Sequence, residues 1–183
     1  MLLLGGCGPR EPAWRTYEEV AVPDPTAQAS PVAASGAAVP LKWTAPAGWI
    51  EEAGSGMRLA AFSIRRSGGT GVCTMITLRG PAGGLEANVR RWIGQLGLPE
   101  PPADELAAFL ARQERFRCQG GFDGVRIDLT GFKGQPPGAA SMLGAVITLG
   151  DSTLFAKFTG PAGLLKEERS SFAALCGSVR ASP

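Results

Sequence analysis

Between residues 8 and 40 the chain carries Pro9, Pro12, Pro23, Pro25, Pro31 and Pro40 around an Ala/Ser/Gly run from Ala27 to Ala38, with no apolar periodicity. Such a segment cannot bury enough surface to offset its chain entropy. Residues 8–40 are therefore expected to form a disordered or polyproline-like tether, with an end-to-end distance of about 30 Å as a coil. Whatever folds must be built from residues 41–181. The chain has 183 residues, of which 44% are hydrophobic and 19% charged. That leaves room for one well-buried core rather than two, and a single domain is expected.

The histidine count is zero. Ser-His-Asp and Cys-His catalysis, the two-histidine zinc motifs and the common haem ligands all need imidazole, so none can be assembled from this chain. No cofactor is expected. The net charge is +2, with Lys and Arg scattered along the chain. Nucleic acid is not an expected partner, because its recognition needs a basic stripe.

From Leu41 onward, short β-rich runs alternate with amphipathic helices. Leu41–Thr44 is a candidate strand, Pro46-Ala47-Gly48-Trp49 a turn, and Ile50–Ala53 a short extended piece. Met57–Arg65 and Gly71–Arg79 read as a hairpin, and both alternating sets of residues 72–78 are largely uncharged, as in a strand covered on both faces. Leu85, Val89, Trp92, Ile93 and Leu96 line one side of a predicted helix, with Asn88, Arg90, Arg91 and Gln95 opposite. Asp104 is positioned to cap a short helix through Leu110, followed by strands over Glu114–Gln119 and Val125–Leu129, the latter with one wet face. After a Gly/Pro loop, Met142–Leu149 and Thr153–Phe158 read as a second hairpin, and one C-terminal helix carries Leu165, Phe172, Leu175, Cys176 and Val179 on one side. The runs Arg79–Leu85 and Thr159–Leu165 share a Gly-Pro-Ala-Gly core and each leads a strand into a helix. The order gives an α+β fold: an antiparallel sheet flanked by helices on both faces.

Met1-Leu2-Leu3-Leu4-Gly5-Gly6-Cys7 resembles the lipobox of bacterial lipoproteins, although its apolar run is shorter than a complete signal peptide. The resemblance implies a truncated signal peptide over residues 1–7 and a lipid on Cys7, which would place the domain in the extracytoplasmic (periplasmic) envelope, at the bilayer. The element order, together with Leu41-Lys42-Trp43-Thr44-Ala45-Pro46-Ala47-Gly48-Trp49, is similar to the photosystem II extrinsic PsbP proteins and their bacterial relatives. That likeness implies an α/β/α sandwich serving as a non-enzymatic binding or assembly module at a membrane complex. It assigns no functional residue.

Within the tether, Trp14-Arg15-Thr16-Tyr17-Glu18-Glu19-Val20 is aromatic and β-branched, so Trp14 and Tyr17 are candidate partner contacts; the alternative is a linker patch without a role. Trp92 reads as core, while Trp43 and Trp49 either cover a sheet end or mark a contact surface, with a core role the simpler reading. A Cys73–Cys118 bridge is one reading for an oxidising envelope, but Cys73, Cys118 and Cys176 read more simply as small buried hydrophobes. The Gly68–Gly71 and Gly80–Gly84 runs lack the Lys-Ser/Thr ending of a nucleotide loop and read as turns. The adjacent pairs Glu51-Glu52, Asp104-Glu105 and Glu167-Glu168 point apart and read as solvated surface. The expectation is a lipid-anchored, non-catalytic binding or accessory subunit. Alternatives are a small-ligand-binding envelope lipoprotein and a hydrolase working with carboxylates alone.

Overall fold

The computed structural model describes residues 40–54, 58–136 and 138–182. Cys7, Trp14, Tyr17 and the tether through residue 39 lie outside the described residues, as does Met57. In chain order the elements are β1 Leu41–Lys42, β2 Ile50–Ala53, β3 Arg58–Arg66, β4 Gly69–Arg79, α1 Gly84–Gln95, α2 Ala103–Ala111 and β5 Glu114–Arg117. There follow β6 Asp123–Asp128, β7 Ala140–Thr148, β8 Ser152–Pro161, α3 Ala162–Glu167, α4 Arg169–Gly177 and β9 Arg180–Ala181.

Seven strands form one antiparallel sheet in the order β2-β3-β4-β8-β7-β6-β5, while β1 and β9 pair separately. Strand periodicity sends alternate residues to opposite faces. On β8, Leu154, Ala156 and Phe158 face α3 and α4 with Cys73 and Met75 of β4, whereas Phe155 faces α1 and α2 with Met142 and Ile127. Two apolar clusters thus sandwich the sheet. The first gathers Trp49, Phe62, Phe158, Leu164, Phe172 and Leu175; the second gathers Val89, Trp92, Ile93, Leu106, Leu129 and Phe155. Fully burying a side chain of Leu or Phe size contributes about 1.5–3 kcal/mol, so these layers dominate what holds the domain together.

The two hairpins form as expected, β3–β4 and β7–β8, and α1 buries Val89, Trp92 and Ile93. Both Gly-Pro-Ala-Gly runs sit where a strand passes into a helix, β4 into α1 and β8 into α3. At Gly144 the sheet has no room for a side chain: a Cβ there would stand 2.3 Å from Cζ3 of Trp92.

Several expectations need correction. The C-terminal helix is two helices broken at Glu168, which has φ −91° and ψ 9° and whose carboxylate turns inward instead of lying in solvent. Asp104 does not cap α2: the N-cap is Pro102 and makes no side-chain hydrogen bond. Asn88 is not on a wet face but is 2% exposed, its amide donating to the carbonyls of Ala82 (2.9 Å) and Gly84 (2.6 Å), where it closes the turn that starts α1. The strand beginning at Glu114 stops at Arg117, because Gln119 and Gly120 donate instead to the carbonyls of Gly177 and Val179. The Arg126 face of β6 is half-covered: its guanidinium lies 4.3 Å from the Phe116 ring centroid and pairs with Glu114. Among the described residues no helix is long and apolar enough to cross a membrane.

Candidate functional site

The Ala47-Gly48 turn ahead of β2 is held by one polar cluster. Gly48 adopts φ +74°, and the Trp49 amide donates to the Pro46 carbonyl at 3.1 Å. This turn delivers the Trp49 ring into the core, where it meets Phe158 at 5.0 Å and Phe62 at 5.8 Å between centroids. Its indole N–H donates to Glu168 Oε2 at 2.8 Å, and Arg66 Nε donates to Glu168 Oε1 at 2.6 Å. Arg66 also donates to the carbonyl of Ala47 at 3.2 Å. Burial alone would raise the Glu168 carboxyl, but hydrogen bonds from Trp49 and Ser171 and the charge of Arg66 hold it below its ordinary value. The cluster therefore pins the turn and β3 to the α3–α4 break. Trp49 is 6% exposed and belongs to the core, the simpler of its two readings. Trp43 is half-buried against the same layer and donates to Glu51 Oε1 at 2.9 Å.

The adjacency of Glu167 and Glu168 predicts two solvated carboxylates, yet Glu168 is buried. Its spacing was the signal: residues 165, 168, 172, 175 and 179 recur at intervals of three and four, placing this carboxylate on the apolar stripe. Asn88 sits the same way between Leu85 and Trp92.

Cys73, Cys118 and Cys176 are buried and free, so the Cys73–Cys118 bridge is not formed. The Cys118 thiol lies 3.3 Å from the Cys176 carbonyl oxygen. Burial, then the neighbouring Cys176, pushes the Cys73 thiol well up; burial also raises Cys176, and takes Cys118 to about 11 against the opposing charge of Arg126. Thiols held this way are poor nucleophiles.

Among the described residues, three surfaces stand open. The first is the α1/α2 face of the sheet over β2, β3 and β4. Register places Ile50, Ser63, Val72 and Thr159 in one cross-strand row there, with Ile50 67% and Val72 43% exposed, beside the edge strand β2. The second is a cleft of about 800 Å³ between the start of α1 and the β5–β7 side of the sheet. Leu85, Val125 and Val146 line it with Arg115, Asp123 and Asp151. The two carboxylates share that cleft but are exposed, and Asp123 pairs with Arg117 at 3.7 Å. Neither has the apolar surroundings that set an acid apart from a nucleophile. The third is a groove of about 650 Å³ between α2, residues 128–133 and the α3–α4 junction.

No family model and no curated protein matches the chain. Among solved structures it is similar to LpqN, involved in cell envelope biogenesis of Mycobacterium tuberculosis, with a TM-score of 0.48 and 13% identity over 78% of this chain and 83% of that one. It is also similar to the cyanobacterial PsbP (CyanoP) of Synechocystis sp. PCC 6803, with a TM-score of 0.42 and 14% identity over 83% of this chain and 99% of that one.

Proposed function

We propose that this chain is a non-catalytic binding or accessory subunit, anchored through an acyl group on Cys7 to the extracytoplasmic side of a bacterial membrane and working through protein contacts of its folded domain. The observation that carries this reading is the open sheet face. Ile50 and Val72 stand exposed in a row of short side chains, next to an edge strand whose backbone groups can accept a further strand. The Leu4-Gly5-Gly6-Cys7 run supports the anchor. The zero histidine count supports the non-catalytic part, since it removes the common hydrolytic mechanisms.

Two measurements on the full chain in its bacterial host test the proposal. Mass spectrometry of the N-terminus is expected to find Cys7 acylated, and Cys7→Ser is expected to move the protein out of the membrane fraction. Photocrosslinking from position 63, between Ile50 and Val72 in the same row, is expected to capture one stoichiometric membrane protein, and Ile50→Arg with Val72→Arg is expected to abolish that capture without lowering the melting temperature. An unmodified Cys7 in a cytosolic protein would sink the anchor. Equal capture from position 63 with and without the arginines would sink the contact face.

A small-ligand reading is favoured by a separate observation, the charge balance of the third groove.

A further inference from the structure

The third groove differs from the larger cleft in the sign of its charge. Arg112, Lys133, Lys166 and Arg169 line it against two carboxylates, Glu105 and Asp128. Both carboxylates are already engaged. Asp128 pairs with Arg169 and accepts from the backbone N–H and hydroxyl of Thr130 at 2.8 and 2.6 Å, while Glu105 faces Lys133 Nζ at 3.5 Å. Arg112 and Lys166 have no ion-pair partner among the described residues, and both are exposed. The larger cleft sets Arg115 alone against Asp123 and Asp151 and would repel an anion.

The groove also has an apolar wall. Phe109 of α2 and Phe132 meet edge to face at 5.1 Å and 89°, and both line the same cavity as the cations. The Asp128–Thr130–Arg169 contacts fix the segment that carries Phe132, so the ring and the charges are presented together without a ligand to order them.

We propose that this groove binds an amphipathic phosphate, with the phosphate between Arg112 and Lys166 and the apolar part against Phe109 and Phe132. Guanidinium gives a phosphate paired donors in one plane, and ammonium adds a mobile point charge. A pocket of this size holds a headgroup and the start of a chain rather than a whole lipid. The ligand chemistry is shared by an anionic phospholipid and a soluble phosphate ester. The inference goes beyond the protein-contact reading and does not depend on it.

The test uses the full chain with Cys7→Ser, so that an acyl group at that position cannot contribute. Decyl phosphate below its micelle concentration is titrated calorimetrically, with inorganic phosphate in parallel. Decyl phosphate is expected to bind saturably and more tightly than inorganic phosphate, and more weakly as salt rises. Arg112→Gln with Lys166→Gln, two exposed changes, is expected to weaken it roughly tenfold or more at unchanged melting temperature. Vesicles of equimolar phosphatidylcholine and phosphatidylglycerol distinguish the sources. Flotation with the vesicles that is lost in the double variant assigns the site to a lipid headgroup, and decyl phosphate binding without flotation assigns it to a soluble ester. No saturable binding of decyl phosphate, equal affinity for both phosphates, or an undiminished double variant would overturn the proposal.

Discussion

Gly144 lies on β7 beneath the ring of Trp92, and any side chain there would have to displace that ring or the strand. Overpacking a well-filled core costs about 1–3 kcal/mol, and a contact as close as 2.3 Å puts Gly144→Ala toward the upper end. The expected fall in melting temperature is roughly 5–10 °C. Adding Trp92→Leu should cost less in the Gly144→Ala background than in the parent, because removing the indole there also relieves the clash; strictly additive losses would show that ring and strand are not in contact. The requirement was invisible in the sequence. A lone glycine within an apolar strand announces either a bulge or a close approach, and only the opposing layer decides which.

Among the elements, the break between α3 and α4 carries the plainest energetic signature. Because the Glu168 carboxyl is held below its ordinary value in the folded state, the stabilisation it supplies is present above the unfolded-state value, near pH 4. It is lost as pH falls through the lower, folded value. Glu168→Gln is therefore expected to destabilise the domain by about 2 kcal/mol at neutral pH, with the gap to the parent closing as the solution is acidified below pH 4. Denaturant unfolding at several pH values measures this, and a gap that stays constant would remove the carboxylate from the account. Sequence periodicity reached most elements, since 3.6-residue and 2-residue patterns report which face is buried. Thus α1 was readable from Leu85, Val89, Trp92, Ile93 and Leu96, and both hairpins from the turn residues between apolar runs. Periodicity does not report polar groups that are buried because they are paired. Asn88 and Glu168 sit on apolar stripes, yet their residue types argue for solvent, and their partners lie 3 to 119 positions away. The clefts and the third groove were illegible for a related reason. Their walls come from segments far apart in sequence, and Asp128 meets Arg169 only through the sheet topology.

Over the whole molecule, the thiols report on the integrity of the sandwich. Cys73 belongs to a central strand and Cys176 to the helix layer above it, both at 0% exposure, and Cys118 is 4% exposed beside them. With Cys7 acylated or replaced, maleimide labelling of the native protein at pH 8 is expected to be negligible for all three and to appear with denaturant-induced unfolding. Fast labelling of Cys73 or Cys176 in native buffer would mean that the layers separate well below the global transition. The β1–β9 pair gives the molecule a further property. It places Leu41 opposite Ala181, and Ser182 donates to the Pro40 carbonyl at 2.6 Å, so the domain's incoming and outgoing strands leave from a single point on its surface. Such a unit can be spliced between two adjacent residues of a host loop without stretching either. Pulled from both ends, it would part first by unzipping this two-residue clip, leaving the seven-stranded sheet unloaded until the clip had gone.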